Sequence, residues 1–124
     1  MSFNPVVSIV DDEESVRVAI DSLVRSLGYE SRIFSSAEAF LASEQLSTSE
    51  CLITDVQMPG MNGLELQHVI VKSRRKLPII FMTAFPEASI KARAESEGAR
   101  SFLSKPFDGQ TMINCIERAL HGQH

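Results

Sequence analysis

Residues 6–12 of this chain read Val6-Val7-Ser8-Ile9-Val10-Asp11-Asp12, a mostly apolar run that ends in two acids. Such a run is typical of a buried strand whose carboxyl end reaches the edge of a sheet. Three further runs have the same form and are followed by a polar residue: Cys51–Thr54 before Asp55, Ile79–Met82 before Thr83, and Ser101–Ser104 before Lys105. If the four runs are parallel strands, their carboxyl ends lie along one edge, where open α/β sheets bind their ligands.

Helix-like segments separate these runs. After the first run, apolar residues recur at Val16, Ile20, Leu23 and Leu27, which predicts an amphipathic helix that ends at Gly28. The remaining expectations are a strand at Ser31–Phe34, a helix after Ser35 or Ser36, a loop around 46–49, a helix after Gly63, a helix over 87–97 with Pro86 in its first turn, and a helix capped by Asp108. Five strands that alternate with five helices predict an α/β fold, in which a five-stranded parallel sheet carries helices on both faces.

The fourth predicted helix has an unusually small apolar face. Its apolar residues are mainly Ala88, Ile90, Ala92 and Ala94. Because burial stabilises by ~25 cal/mol per Å² of apolar surface, we expect this helix to be weakly anchored. Weakly anchored elements are the ones that move most easily in a conformational switch.

Length and composition fit one domain over residues 1–124. The chain has 44% hydrophobic residues, a net charge of −4 and a pI near 5.3, so its overall field disfavours direct DNA binding. No apolar stretch approaches the ~20 residues of a membrane helix, and we expect no membrane partner. The two cysteines, Cys51 and Cys115, fit no metal or redox spacing, which favours two buried thiols in a reducing cytoplasm.

The predicted sheet edge gathers groups suited to phosphate chemistry. The carboxylates of Asp11, Asp12 and Asp55 would repel one another unless a cation lay among them, and Mg²⁺ prefers such oxygen ligands. The Lys105 ammonium and the Thr83 hydroxyl could each contact a phosphate oxygen. An aspartate in such a site can itself attack phosphorus and form an acyl phosphate.

Each of these residues also has a structural interpretation. Asp11 with Glu14 resembles a capping box at a helix start. Asp55 would be a loop acid, Thr83 a cap for the fourth helix, and Lys105 an exposed lysine before a proline. The functional interpretation is favoured because the groups follow four separate strands.

In its motifs the chain resembles the receiver domain of two-component response regulators over nearly its whole length. The motifs that carry the resemblance are Ile9–Glu13, Thr54–Gly63, Met82–Ala84 and Ser104–Phe107. Residues 34–41, Phe-Ser-Ser-Ala-Glu-Ala-Phe-Leu, look like the FixJ/NarL-type branch, whose receivers usually precede a helix-turn-helix domain. The resemblance implies the flavodoxin-like doubly wound (βα)5 fold.

For the site, the resemblance implies that Asp55 takes a phosphoryl group from a sensor histidine kinase. Asp12, Asp55 and the main-chain carbonyl of Gln57 would ligate Mg²⁺, for which Mn²⁺ can substitute, and Asp11 would act through water. Lys105 and Thr83 would contact the phosphoryl oxygens. The bond between Lys105 and Pro106 would be cis.

The resemblance also implies a switch. Thr83 would move toward the phosphoryl group, and Phe102, which replaces the tyrosine of many members, would turn inward. The surface of the fourth helix, fifth strand and fifth helix would then form a homodimer. Gln57 and Phe85, each two residues past a site residue, would tune the lifetime of the phosphoryl group, with Phe85 shielding it from water.

Other functions remain as alternatives. The chain stops after the fifth helix, so it is expected to be either a stand-alone receiver or part of a longer regulator with a helix-turn-helix output domain that controls transcription. A Mg²⁺-dependent phosphatase with an aspartyl-phosphate intermediate would need a second acid two residues past Asp55, where this chain has Gln57. We therefore expect no enzyme activity beyond phosphorylation of the chain itself and slow dephosphorylation. A nucleotide-binding module would need a Gly-rich turn after the first strand, and four acids stand there instead.

Overall fold

The computed structural model describes residues 4–122, so the first three and last two residues of the predicted domain lie outside it. The strands are β1 (Val6–Val10), β2 (Glu30–Phe34), β3 (Cys51–Asp55), β4 (Ile79–Thr83) and β5 (Ser101–Ser104). The helices are α1 (Glu14–Ser26), α2 (Ala37–Leu41), α3 (Gln45–Thr48), α4 (Gly63–Lys72), α5 (Ala88–Ser96) and α6 (Gly109–His121). None of the helices described is long and apolar enough to cross a membrane.

All five strands are parallel, in the order β2-β1-β3-β4-β5. The predicted fold class is therefore confirmed. The strand order reverses between β1 and β3, and the crevice outside the carboxyl ends at such a reversal is the usual ligand site of an open α/β sheet. The register pairs Val10 with Thr54 and Asp55 with Met82, so the ends of the three central strands lie at nearly one level.

Helices cover both faces of the sheet because the strand side chains alternate between two apolar cores. On β3, Leu52 packs into the core beneath α2, α4 and α5, whereas Ile53 packs into the core beneath α1 and α6. Every residue of β3 and β4 is buried, as expected for central parallel strands. This double burial fixes the sheet rigidly under the residues at its carboxyl edge.

The second predicted helix corresponds to α2, and the predicted loop around 46–49 contains a further short helix, α3. Ser43 lies between the two helices, where its hydroxyl donates to the Phe40 carbonyl at 2.7 Å and accepts from the Gln45 amide at 3.1 Å. The first bond ends α2, and the second starts α3. The surface predicted from the fourth helix, fifth strand and fifth helix consequently corresponds to α5, β5 and α6.

Two predictions about helix starts are wrong. Glu13 is the N-cap of α1 and makes no side-chain cap, so Asp11 and Glu14 form no capping box. Pro86 precedes the N-cap Glu87 of α5 and therefore lies in the loop, outside the first helical turn. The predicted caps Ser36 and Asp108 are confirmed.

The prediction of a thinly packed α5 is also confirmed. Ala94 is its one buried residue, and Ile90 is only partly buried. A hydrogen bond also connects α5 to α4, because the buried side-chain amide of Gln67 donates to the Ala94 carbonyl at 2.9 Å. Helix α5 therefore rests on little apolar area and one buried hydrogen bond near its carboxyl end.

Candidate functional site

Lys105 lies between two buried carboxylates at the carboxyl edge of the sheet. Its Nζ is 2.9 Å from Asp11 Oδ2 and 3.1 Å from Asp55 Oδ2. Only 10% of the Lys105 side chain is exposed, which rules out the structural interpretation of an exposed lysine. Asp55 is the last residue of β3 and is 6% exposed, so it is not a loop acid.

The backbone places Lys105 in this position. Its amide donates to the Thr83 carbonyl at 2.7 Å, which extends the pairing of β4 with β5 by one residue. The peptide bond that joins it to Pro106 is cis. Glu13 also reaches the ammonium, with Oε1 at 3.2 Å from Nζ. In the sequence Glu13 is only one member of an acidic run, and nothing there predicts its contact with Lys105.

The electrostatics of the pair reflect burial and mutual contact. Burial raises the pKa of Asp55 above its ordinary value, while the hydrogen bond and charge of Lys105 act in the opposite direction. For Lys105, burial lowers the pKa, but hydrogen bonds and charge from Asp11 and Asp55 outweigh it and raise the pKa above its ordinary value. Lys105 is therefore firmly cationic, and Asp55 carries a charge that burial disfavours.

Three acids form a set that could hold a metal ion. Carboxylate oxygens of Asp11, Asp12 and Asp55 all lie within 4.8 Å of one another. Asp11 and Asp55 are buried, whereas Asp12 is exposed and open to solvent. Mg²⁺ prefers hard oxygen ligands and keeps several of its bound waters, so a carboxylate cluster that is open to solvent on one side suits it. The residues present therefore fit the predicted metal.

Asp11 is held from two directions. Its Oδ1 accepts from the Glu13 amide at 2.8 Å, and its main-chain carbonyl accepts from Arg17 Nη1 at 2.7 Å. The sequence does not predict the role of Arg17, because no sequence pattern indicates that its side chain contacts the backbone six residues earlier. The first contact fixes the Asp11 carboxylate and the second fixes its main chain, without the capping box that the sequence suggested as an alternative.

Thr83 is 1% exposed at the end of β4. Its Oγ1 accepts from the Phe85 amide at 3.0 Å, so the hydroxyl organises the β4–α5 loop and does not cap α5. The Phe85 side chain projects from this loop and is 63% exposed. The Thr83 hydroxyl therefore contacts the backbone of Phe85, the residue for which the resemblance implies a role in the lifetime of the phosphoryl group.

The loop after Asp55 is fixed by contacts that the sequence did not reveal. The Gln57 amide donates to Asp55 Oδ1 at 3.3 Å, and the Met61 amide donates to Glu38 Oε2 at 3.0 Å. Gly60 has φ +76°, and a Cβ there would lie 2.6 Å from Glu38 Oε2. A Cβ at Gly63 would overlap the carbonyl oxygen of Asp55. Gly60 thus lets the loop approach Glu38 of α2, and Gly63 lets α4 approach the end of β3.

Phe102 is half-buried on β5. Its ring centroid is 6.2 Å from that of Phe81, with the planes tilted by 42°. Beside the ring, a cavity of about 180 Å³ extends toward α5 and is lined by Pro86, Glu87, Ala88, Lys91 and Ser104. The ring therefore contacts the core on one side and open space on the other.

Comparison with known proteins identifies the family. The family model of the response regulator receiver domain matches residues 7–117. The transcriptional regulatory protein TdiR of Thauera aromatica is 39% identical over 114 residues, which cover 92% of this chain and 50% of TdiR. The chain spans about half the length of the curated relatives that it matches at this level of identity.

Solved structures agree with this assignment. The response regulator StyR superimposes with a TM-score of 0.89 at 39% identity, covering 96% of this chain and 60% of that one. The structure of FixJ-N gives a TM-score of 0.86 at 33% identity, covering 99% and 98%. The carboxylate and lysine geometry at the sheet edge, the family model and these structures lead to one conclusion. This chain belongs to the receiver-domain family of response regulators.

Proposed function

We propose that Asp55 is the phosphoacceptor of this receiver domain and that a sensor histidine kinase supplies the phosphoryl group. The observation that supports this proposal is the position of Lys105 Nζ, within hydrogen-bonding distance of Asp55 Oδ2 at the carboxyl edge of the sheet. A buried carboxylate paired with a fixed cation has both a nucleophilic oxygen and a partner for the incoming negative charge. The charge, burial and location of the pair thus all suit phosphoryl transfer.

The reaction transfers a phosphoryl group from a donor, the phosphohistidine of the kinase, to an acceptor, the carboxylate of Asp55. An oxygen of the Asp55 carboxylate forms a bond to phosphorus while the bond between phosphorus and the histidine nitrogen of the kinase breaks, and the electron pair of that bond returns to the imidazole. With acetyl phosphate as donor, a phosphorus–oxygen bond breaks and acetate leaves. The Lys105 ammonium, already 3.1 Å from Asp55, neutralises charge on the phosphoryl oxygens.

Mg²⁺ is the proposed cofactor, with Mn²⁺ as a substitute. Asp12, Asp55 and the main-chain carbonyl of Gln57 would hold it, with Asp11 acting through water. When bound, the ion offsets the repulsion of the acidic cluster and the negative charge of the phosphoryl group. Fixation of Asp11 by Glu13 and Arg17, and of the Gln57 loop by Glu38, supports a preorganised ligand set.

We further propose that the chain modifies only itself. A phosphatase acting on external substrates would need a proton donor near the acceptor, and the residue two positions past Asp55 is Gln57, an exposed amide. Turnover of phosphate esters in solution is therefore not part of the proposal. The expected chemistry is one phosphorylation, followed by slow hydrolysis.

The proposed switch connects Asp55 to the surface of α5, β5 and α6. Thr83 would move toward the phosphoryl group, and its hydrogen bond to the Phe85 amide would carry the β4–α5 loop with it. Phe102 would turn inward beside α5, where the cavity of about 180 Å³ leaves room for rearrangement. Homodimerisation through this surface is the proposed outcome.

The wider biological setting is also a proposal. TdiR and the DNA-binding transcriptional regulator NtrC of Salmonella typhimurium are relatives, and the chain covers 50% and 24% of their lengths. We therefore propose transcription control as the output of the whole protein, through a helix-turn-helix domain, with a stand-alone receiver as the alternative. Two buried free thiols, Cys51 and Cys115, support a reducing, cytoplasmic location.

The experiment is intact mass spectrometry after incubation with Mg²⁺ and phosphoramidate. The proposal predicts one added phosphoryl mass on the wild-type chain, no addition when EDTA replaces Mg²⁺, and no addition in Asp55→Asn. Addition to Asp55→Asn at the wild-type rate would contradict the proposal.

A further inference from the structure

A second concave site lies at the opposite edge of the sheet from Asp55. It is a cavity of about 580 Å³ between the carboxyl end of α4, the segment before β4 and the turn after α5. Its apolar lining consists of the exposed Val71, the half-buried Pro78 and three residues of the core beneath α4 and α5, Ile70, Leu77 and Ile79. Ile79 begins β4 and Thr83 ends it, so about 13 Å of strand separates this cavity from the acceptor edge.

The rim of the cavity is basic, although the chain as a whole has a net charge of −4. Arg74, Lys76 and Arg100 line it, all are exposed, and the ion pairs of residues 4–122 include none of them. Arg75 plays a structural part instead, since its guanidinium donates to the carbonyls of Leu46 and Ser49. Three cations therefore line the cavity without a carboxylate partner among the residues described, while Glu97, the acid of the lining, lies 3.5 Å from His68 Nδ1.

Arg74 adds a conformational argument. It has φ +64° at the second position after α4, where a residue in the left-handed region often ends a helix. The same position after α1 and after α5 is occupied by Gly28 and Gly98, which adopt positive φ without strain. Arginine at this position is strained, and such strain is concentrated at ligand and functional sites.

We propose that this cavity is a binding site for a small organic anion that has an apolar body. The apolar body would pack on Val71 and Pro78, and a carboxylate, sulfonate or phosphate group would face Arg74, Lys76 and Arg100. The volume falls within the roughly 300–1,000 Å³ of small-molecule sites, which combine apolar walls with a few charged groups. Charge complementarity selects an anion over a neutral ligand.

A ligand in this cavity would also contact the end of α5. Glu97 and Gly98, which follow α5, belong to the lining, as does Gln67, whose amide donates to the Ala94 carbonyl of α5. The site therefore adjoins the weakly packed helix without sharing a residue with the acceptor edge. Binding does not depend on the assignment of Asp55, so the two proposals fail independently.

The first test uses 1-anilinonaphthalene-8-sulfonate, an aromatic anion that fluoresces when bound, and N-phenyl-1-naphthylamine, which lacks the sulfonate. Amide chemical shifts should change at Val71, Lys76, Ile79 and Gly98 on addition of the sulfonate. The double variant Lys76→Glu/Arg100→Glu should bind the sulfonate about tenfold more weakly, while Arg93→Glu, a charge reversal at one exposed residue outside the lining, should weaken it by less than about twofold because of ionic screening. The neutral probe should bind the wild type and the double variant within about twofold of each other.

The second test uses Arg74→Gly, which is expected to keep the fold. Relief of strain should raise the melting temperature, while loss of the guanidinium should weaken sulfonate binding. Equal sulfonate affinity in the wild type and in both rim variants would overturn the proposal. Shifts confined to other surfaces, or an equal loss in Arg93→Glu, would overturn it as well.

Discussion

Lys105 Nζ lies 3.1 Å from Asp55 Oδ2, although the two residues are 50 positions apart in the chain. The contact joins the ends of β3 and β5, which are separated in the sheet by β4. It also brings Lys105 to Asp11, so one cation serves two buried carboxylates. The stability of this edge and the proposed chemistry therefore depend on the same side chain.

Lys105→Gln should destabilise the chain and slow its phosphorylation. Asp11 and Asp55 would lose their shared cation, and removal of one partner from a buried pair typically costs about 3 kcal/mol. Urea unfolding in EDTA measures the stability, and intact mass after acetyl phosphate treatment measures the rate. Lys72→Gln, at an exposed lysine of α4, is the control. Equal losses in the two variants would show that Lys105 has no special role.

Asp55→Asn should stabilise the metal-free chain at neutral pH. Because burial raises the pKa of Asp55, the folded state binds a proton more readily than the unfolded chain does. Stability therefore falls as pH rises from the ordinary pKa of 3.8 through the folded pKa, and the full penalty applies above it. The substituted amide carries no charge, so the gain should be about 1 kcal/mol at neutral pH, on the scale of one desolvated polar group.

The measurement is urea unfolding of both proteins in EDTA across that pH range. The advantage of Asp55→Asn should shrink as the pH falls toward 3.8. Asp12→Asn, which removes an exposed acid from the same edge, should change stability less. A gain that stays constant with pH would indicate a cause other than the ionisation of Asp55.

Glu38→Ala should weaken Mg²⁺ binding although residue 38 is not a proposed ligand. Glu38 holds the Met61 amide at 3.0 Å and thereby fixes the loop that carries the Gln57 carbonyl. Loss of a group that orients a metal ligand typically weakens binding about tenfold or more. Titration of Mg²⁺ followed by amide chemical shifts measures the affinity. In Glu95→Ala, at an exposed position of α5, the affinity should be unchanged, and an equal loss there would contradict the prediction.

The backbone contact of Glu38 lowers the pKa of its carboxyl, chiefly through the hydrogen bond from the Met61 amide. Its support of the loop is thus present above the ordinary pKa of 4.5 and is lost as pH falls through the lowered folded value. Near neutral pH the carboxylate is fully charged. The Mg²⁺ titration is therefore informative under those conditions.

Phe85→Gly should shorten the lifetime of the phosphoryl group. The Phe85 ring is 63% exposed beside the loop that Thr83 anchors, where it can restrict access of water to the acceptor. Decay of the phosphorylated mass after removal of acetyl phosphate gives the lifetime, and Phe85→Leu, which retains an apolar side chain, is the control. A Phe85→Gly chain that loses its phosphoryl group no faster than the wild type would refute the shielding role.

The sequence predicted the sheet because four apolar runs carried a strong local signal, whereas the signal of the second strand, Ser31–Phe34, was weak. The strand ends were predictable for the same reason, and so was the gathering of Asp11, Asp55 and Lys105, since parallel strands end at one edge. Helix α3 was missed because residues 45–48, Gln-Leu-Ser-Thr, have no helical apolar pattern. Its start depends on a hydrogen bond to the Ser43 hydroxyl.

The site residues that the sequence did not predict were missed for a different reason. Arg17 and Glu38 act through side-chain contacts with backbone that lies outside their own helices. No local pattern encodes such contacts, because they depend on how helices dock against the sheet. The capping-box interpretation of Asp11 failed for a related reason, since its carboxylate bonds the Glu13 amide and the ammonium of Lys105.

Chemical mapping of the phosphoryl group tests the central claim most directly. The chain is phosphorylated with acetyl phosphate and Mg²⁺, reduced with borodeuteride, digested and sequenced by mass spectrometry. An aspartyl phosphate is reduced to deuterated homoserine, so the label marks the acceptor position. We predict homoserine at position 55 alone, dependent on Mg²⁺ and absent from Asp55→Asn. Labelling at Asp11 or Asp12 of the wild type, or no labelling of position 55, would contradict the assignment.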